Sequence, residues 1–148
     1  MKIGIASDHR GYALKEALKG SLIDCEIIDY GTTNTDPVDY PDYAFKLGKV
    51  INQKEADLGI LICGTGIGMS IAANKVKGIR CAHVASSNDA ILAREHNNAN
   101  VIAFGKNTTV NEAIKMVDLF IATDFKKEER HIRRIQKITK YENGEYDI

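Results

Sequence analysis

Short apolar runs and amphipathic stretches alternate along this chain, and that alternation limits its possible folds more than any other feature. The runs at residues 2–6, 26–30, 58–62, 79–84 and 100–104 have strand lengths and are rich in isoleucine, leucine and valine. Between them apolar residues recur at helical spacing. Leu14, Leu18 and Leu22 form one stripe, and Ala44, Leu47 and Ile51 form another behind Pro41, with Asp39 or Tyr40 as its cap. Ser86-Ser87 caps a helix running to Glu95. Val110, Ala113, Ile114, Val117 and Ile121 mark a strongly periodic helix, and a last helix over residues 126–141 carries Ile132, Ile135 and Ile138. Strands alternating with helices in this way call for a parallel sheet covered on both faces. Ligands on such sheets bind outside the carboxyl ends of the strands, near the point where strand order reverses. One domain over residues 1–148 is expected, without linker, repeat or low-complexity segment.

The third apolar run carries the sharpest chemical signal. It ends at Cys63 and is followed by glycines at 64, 66 and 68, then by Met69, Ala72 and Ala73 at helical spacing. Alternating glycines allow positive φ and let a ligand approach the amides closely. Several N–H groups then gather beside a helix N-terminus, where negative charge is favoured. A cysteine in that field is expected to sit partly as thiolate, and a thiolate beside an anion hole is the start of an active site. Such turns also serve tight packing, and cysteine is also a small core hydrophobe. Two nucleotide readings fail. The dinucleotide fingerprint needs a glycine where Met69 stands, and a P-loop needs a lysine that this loop lacks before Lys75.

Charge and cysteine usage exclude other classes. Twenty basic side chains balance twenty acidic ones, so no global field points to nucleic acid or a membrane surface. Three widely spaced cysteines make no disulfide framework, and Cys25 and Cys81 read as reduced core residues. No stretch approaches a membrane span, and the apolar run at residues 3–6 is too short for a signal peptide, so the chain reads as cytoplasmic. Asp8 and His9 follow the first strand and so share an edge with Cys63, although a helix cap with a solvated histidine explains them equally well. His96-Asn97 precedes the fifth strand, and a helix-terminating turn is its simplest reading. On the last helix Arg130, Arg133, Arg134 and Lys137 share one stripe, either a solvated face or a phosphate grip by arginines at i and i+4. No aromatic residues interleave with that stripe, which argues against nucleic acid.

The segments Ser7-Asp8-His9 with Gly11, Asp39-Tyr40-Pro41, Ile62 to Gly68, Ser70 to Lys75, Gly78-Ile79-Arg80, Arg94 to Asn97, Asn100 to Gly105, and Arg130-His131 with Arg134 run through nearly the whole chain. Together they resemble the ribose-5-phosphate isomerase B family of sugar-phosphate isomerases, which includes the galactose-6-phosphate isomerase subunits. The resemblance implies an α/β fold of the Rossmann-like kind, a three-layer αβα sandwich around a five-stranded parallel sheet. It implies no metal and no organic cofactor, and a homodimer or tetramer with active sites shared between subunits, the last helix packing at the interface. The expected activity is aldose–ketose isomerisation of ribose 5-phosphate and ribulose 5-phosphate, a step of pentose phosphate metabolism. By matching position, Cys63 resembles the base that moves a proton between C1 and C2. His96, supplied from the partner subunit, resembles the ring-opening residue, with Asp8 assisting and Thr65 nearby. The amides of Gly64, Gly66 and Gly68, with Asn97, resemble the enediolate's anion hole. His9, Arg130 and Arg134 resemble the phosphate grip, and Tyr43 lines the pocket.

Two features modify that expectation. Many relatives carry an arginine after Gly105 that reaches the neighbouring subunit's phosphate, where this chain has Lys106 and Asn107. The tail Asn143-Gly144-Glu145-Tyr146-Asp147 is similar to that of one galactose-6-phosphate isomerase subunit. However, the two subunits of that enzyme divide the motif, whereas this chain keeps both Cys63 and Arg94 to Asn97. A galactose- or allose-6-phosphate isomerase, or a non-catalytic sugar-phosphate-binding module, is the alternative.

Overall fold

The computed structural model describes residues 1–148. Its elements run β1 (Lys2–Ser7), α1 (Tyr12–Lys19), β2 (Glu26–Asp29), α2 (Tyr40–Asn52), β3 (Leu58–Cys63), α3 (Ile67–Ala73), β4 (Cys81–His83), α4 (Ser87–Asn97), β5 (Val101–Gly105), α5 (Val110–Ala122) and α6 (Glu129–Glu142). All five strands are parallel, in the order β2-β1-β3-β5-β4. The chain runs from β1 out to β2 and returns across β1 to β3, so strand order reverses between β1 and β3. It next places β4 at the far edge, and β5 then fills the gap beside β3.

Alternation along the strands builds two cores. Ile3, Ile5, Ile60, Ile62, Ile102 and Phe104 turn to one face and pack with Leu14 and Leu18 of α1, Ala90 and Ala93 of α4, and Val117 and Phe120 of α5. Ala6, Leu61, Cys63, Val101 and Ala103 turn to the other, against Leu47 and Ile51 of α2 and Met69, Ala72 and Ala73 of α3. The result is the expected three-layer αβα sandwich. The second face is built from small residues where α2 crosses it. Gly4 and Gly59 are paired across β1 and β3, and a Cβ on either would come within 2.7 Å of a Leu47 methyl group. α6 lies outside the sandwich against α4 and buries only His131.

Several boundaries differ from the sequence pattern for local reasons. β4 is shorter than residues 79–84, because the Ile79 N–H closes a turn onto the Val76 carbonyl at 3.1 Å. α1 stops at Lys19, and Leu22 reaches the core from the turn beyond it. α6 begins at Glu129, since the Lys126 N–H is taken by the Glu95 carbonyl at 3.0 Å. Asp39 occupies the N-cap of α2 without a side-chain cap bond, whereas Ser86 Oγ accepts from the Asp89 N–H at 3.1 Å as expected. Lys15 breaks the polar-outside pattern. Its side chain is fully buried, with Nζ 2.6 Å from Asp29 at the end of β2 and 3.1 Å from Glu16. No helix is long and apolar enough to cross a membrane.

Candidate active site

β3 ends at Cys63, whose side chain faces the α2–α3 layer and is 5 % exposed. The chain then turns so that the Gly66 N–H donates to Cys63 Sγ at 3.1 Å. A donor aimed at sulfur stabilises negative charge there. The turn depends on Gly66, which sits at φ 83°, and its Cβ, had it one, would lie 2.7 Å from the Phe104 backbone. The flanking glycines answer a different need. A Cβ at Gly64 would come 2.8 Å from Arg10 Nη1, and one at Gly68 would meet the Tyr40 ring at 2.6 Å. Of the three expected positive-φ positions, then, only the middle one has that conformation, and the other two make room for side chains. Thr65 Oγ1 accepts from the Ile67 N–H at 3.2 Å. The amides of Gly64, Thr65 and Gly68, all on the cavity lining, donate to no group of the chain, which leaves three N–H groups beside Cys63 for an anion.

The end of β1 forms the adjacent wall. Asp8 is buried, and its Oδ1 accepts the N–H groups of Arg10 at 2.9 Å and Gly11 at 3.0 Å, so it does cap the turn into α1. The second oxygen, Oδ2, accepts no hydrogen bond from the chain. His9 Nδ1 accepts from the Val38 N–H at 3.2 Å, which ties this turn to the segment before α2. Asp8, Arg10, Tyr40, Cys63 and Gly64 line a cavity of about 410 Å³. Tyr43, one helical turn beyond Tyr40, packs on Gly31 and donates its hydroxyl to Thr32 Oγ1 at 3.3 Å. Two further strands brace the loop. The Lys106 N–H donates to the Cys63 carbonyl at 2.9 Å, and His83 Nε2 lies 3.0 Å from the Thr65 carbonyl.

The other candidates lie at the opposite edge of the sheet. Arg80, just before β4, donates from Nε to the Asn97 carbonyl at 3.0 Å and from Nη2 to the Asn98 carbonyl at 2.9 Å. The end of α4, with His96 and Asn97, is therefore fixed at the amino edge, and β5, five residues or roughly 16 Å long, separates it from the Cys63 edge. His96 stacks on His131 with ring centroids 4.5 Å apart and planes 20° from parallel. His131 Nε2 is buried without a hydrogen-bond partner. Burial first, then the charges of Arg130 and His96, hold the His131 imidazole below the ordinary histidine range. Arg130 pairs with Glu128 and Arg133 with Glu129, while Arg134 makes no ion pair. One chain thus brings together Asp8, His9, Cys63, Thr65 and the glycine amides, and holds His96, Asn97, Arg130 and Arg134 apart from them.

Cys25 and Cys81 are free thiols, and burial pushes Cys81 up to about 12, which makes it unreactive. No three His, Cys, Asp or Glu side chains converge as a metal-ligand set. Sequence reasoning missed Arg10, Tyr40 and His83. Arg10 directly follows the Asp8-His9 pair and Tyr40 precedes the Pro41 helix start, so both had a positional signal. For His83, on a short edge strand, there was none.

Residues 3–138 match the model of a family described as Ribose/Galactose Isomerase. The chain is 41 % identical over 144 residues to the ribose-5-phosphate isomerase B of Escherichia coli, covering 95 % of this chain and 96 % of that one. A solved structure of ribose-5-phosphate isomerase B from Clostridium thermocellum superposes with a TM-score of 0.93 at 44 % identity, covering 99 % of this chain and 100 % of that one. The Mycoplasma genitalium ribose-5-phosphate isomerase B, solved with bound ribulose-5-phosphate, gives a TM-score of 0.86 at 47 % identity and 96 % coverage of both chains.

Proposed function

The chain belongs to the ribose/galactose isomerase family, and from that premise we propose that it interconverts ribose 5-phosphate and ribulose 5-phosphate through an enediolate. The observation that carries this reading is Cys63 at the end of β3, with the Gly66 N–H on its sulfur and three unpaired amides beside it. Aldose–ketose isomerisation removes a proton next to a carbonyl and leaves charge on the enediolate oxygens. Cys63 takes that proton from C2 and returns it at C1. The Gly64 to Gly68 amides, with Asn97, hold the developing oxyanion, and each such donor typically contributes about 3 kcal/mol to the transition state. Asp8, through its free oxygen, assists opening of the sugar ring, and Thr65 stands beside the reacting carbons. His9, Arg130 and Arg134 grip the phosphate, and Tyr43 shapes the pocket wall behind Tyr40.

His96 completes the site as the ring-opening group, and its position at the amino edge supports its working in a neighbouring copy's cavity. The enzyme therefore works as a homodimer, or a pair of dimers, with α4 and α6 of one subunit facing the Cys63 edge of the other. Two features support this assembly: α6 leaves its isoleucines half-covered, and Ile67 and Ile71 beside the cavity are 52 % and 58 % exposed. The protein acts in the cytoplasm on a small phosphorylated sugar.

The direct experiment incubates the purified protein with ribose 5-phosphate in heavy water and follows deuterium at C1 and C2. Exchange accompanied by ribulose 5-phosphate is the expected result. Binding without exchange would make the chain a sensor, and exchange with galactose 6-phosphate alone would move its substrate to the hexoses.

A further inference from the structure

Arg10 lines the cavity but has none of the roles given above. Its backbone N–H is held by Asp8 Oδ1 at 2.9 Å, while its side chain is exposed. The guanidinium lies over Gly64, close enough that a Cβ there would be 2.8 Å from Nη1 and 3.2 Å from Cζ. Asp8 is two residues away, yet the two side chains form no ion pair, and Arg10 donates to no other acceptor of the chain. The other arginines are committed or distant. Arg80 and Arg94 hold backbone carbonyls, Arg130 and Arg133 pair with glutamates, and Arg134 stands on α6. Arg10 is the one free guanidinium on the Cys63 cavity of its own chain.

The geometry points to Arg10 as a specificity-determining residue that grips the phosphate of a phosphorylated sugar whose reacting carbons lie at Cys63. The argument, which rests on the isomerase reading above, comes from depth and charge. Cys63 is buried at the cavity floor and Arg10 is exposed at its rim. A sugar with C1 and C2 at the sulfur sends its far end, with the phosphate, outward to that rim. A guanidinium offers forked donors that match two phosphate oxygens at once. After Gly105 the same edge offers only Lys106, a flexible point charge, and Asn107, a neutral amide. Arg10 therefore adds, from the chain that carries Cys63, a forked cation to the grip that Arg130 and Arg134 bring from the neighbouring copy, and it favours phosphorylated over neutral sugars.

The test compares wild type with Arg10→Ala, Arg10→Gln and Arg10→Lys, using ribose 5-phosphate turnover and, separately, calorimetric titration with inorganic phosphate. Arg10→Ala and Arg10→Gln should raise KM roughly 10–100-fold, the scale of one charge-assisted pair, with kcat changed far less. Phosphate affinity should fall in parallel, and Arg10→Lys should recover part of both losses. Unchanged KM and unchanged phosphate affinity in both neutral variants would overturn the assignment. A fall in kcat with KM intact would also overturn it, by placing the guanidinium at the reacting carbons instead. Wild-type protein that binds phosphate but never turns over ribose 5-phosphate would sink the isomerase reading alone, and the calorimetric comparison would still decide Arg10.

Discussion

In the proposed mechanism two requirements meet at Cys63: a base at the reacting carbons and a backbone that can pass close beside it. The Gly66 N–H at 3.1 Å serves the first, and the turn at Gly66, packed on the Phe104 backbone, serves the second. Cys63→Ser keeps the size and the hydrogen bond but replaces a thiol with a hydroxyl that ionises far less readily. It should fold normally, bind substrate with nearly unchanged KM and lose at least ~100-fold in kcat, the usual scale for a missing general base. Steady-state kinetics on the purified variant checks this, and near-normal turnover would remove Cys63 from the mechanism. His83 acts one step further out. By holding the Thr65 carbonyl at 3.0 Å it fixes the loop that carries the free amides, without reaching the cavity itself.

Among the elements, α1 and α6 are held in opposite ways. α1 is tied to β2 by a charge cluster around the buried Lys15, in which Asp29 receives Lys15 and Lys19, each at 2.6 Å, and the Gly31 N–H at 2.8 Å. Burial opposes ionisation of Asp29, but the two lysines and the amide outweigh it and hold its carboxyl below the usual range. Lys15→Ala removes the fully buried partner. Asp29 is partly exposed and keeps Lys19 and the Gly31 N–H, so no uncompensated buried charge is left, and the expected loss is about 1–3 kcal/mol, the scale of one charged hydrogen bond, readable in denaturant melts at neutral pH. α6 instead docks through the His131–His96 stack. The His131 imidazole is held low by burial, by Arg130, His96 and Arg134, with Glu128 opposing. The unfolded segment therefore binds a proton more readily than the docked one. Docking is fully stable above the ordinary histidine value of about 6.5, and it weakens as pH falls below that toward the lowered value. Protection of the α6 amides, measured against the intrinsic exchange rate at each pH, should fall from about pH 7.5 to about pH 5.5, and His131→Phe should flatten the dependence. Equal protection at both pH values in wild type would contradict this.

For the molecule as a whole, the proposed division of the site between opposite sheet edges makes assembly an expected condition of activity. If Cys63 of one subunit works with His96 of another, two inactive variants can repair each other. Cys63→Ser mixed with His96→Asn forms hybrid dimers in which one site has both native residues and the other has neither. Random mixing then restores about a quarter of wild-type sites, the fraction expected of a two-fold assembly. Refolding the variants together and assaying the mixture checks this, and no recovery would mean that each chain supplies its own complete site. Dilution should abolish activity in step with the loss of dimers in sedimentation.

Local periodicity was enough to read the strands, the helices and the two-faced sheet, because alternation at two residues and recurrence near 3.6 follow from backbone geometry alone. The Cys63 loop was legible for the same reason: its glycines, strand and helix are contiguous in the chain. Tertiary structure alone decided the strand order, in which β5 enters between β3 and β4, since strand pairing depends on residues far apart in sequence. The parallel crossover from β4 through α4 to β5 sets His96 a strand's length away from Cys63. Tertiary structure also decided what the long side chains do. Lys15 is buried because Asp29 stands at the end of the neighbouring strand, and Arg10 covers Gly64 because β1 and β3 are adjacent with their ends in register. A flexible side chain takes its position from whatever lies across from it, and only the folded chain determines what that is.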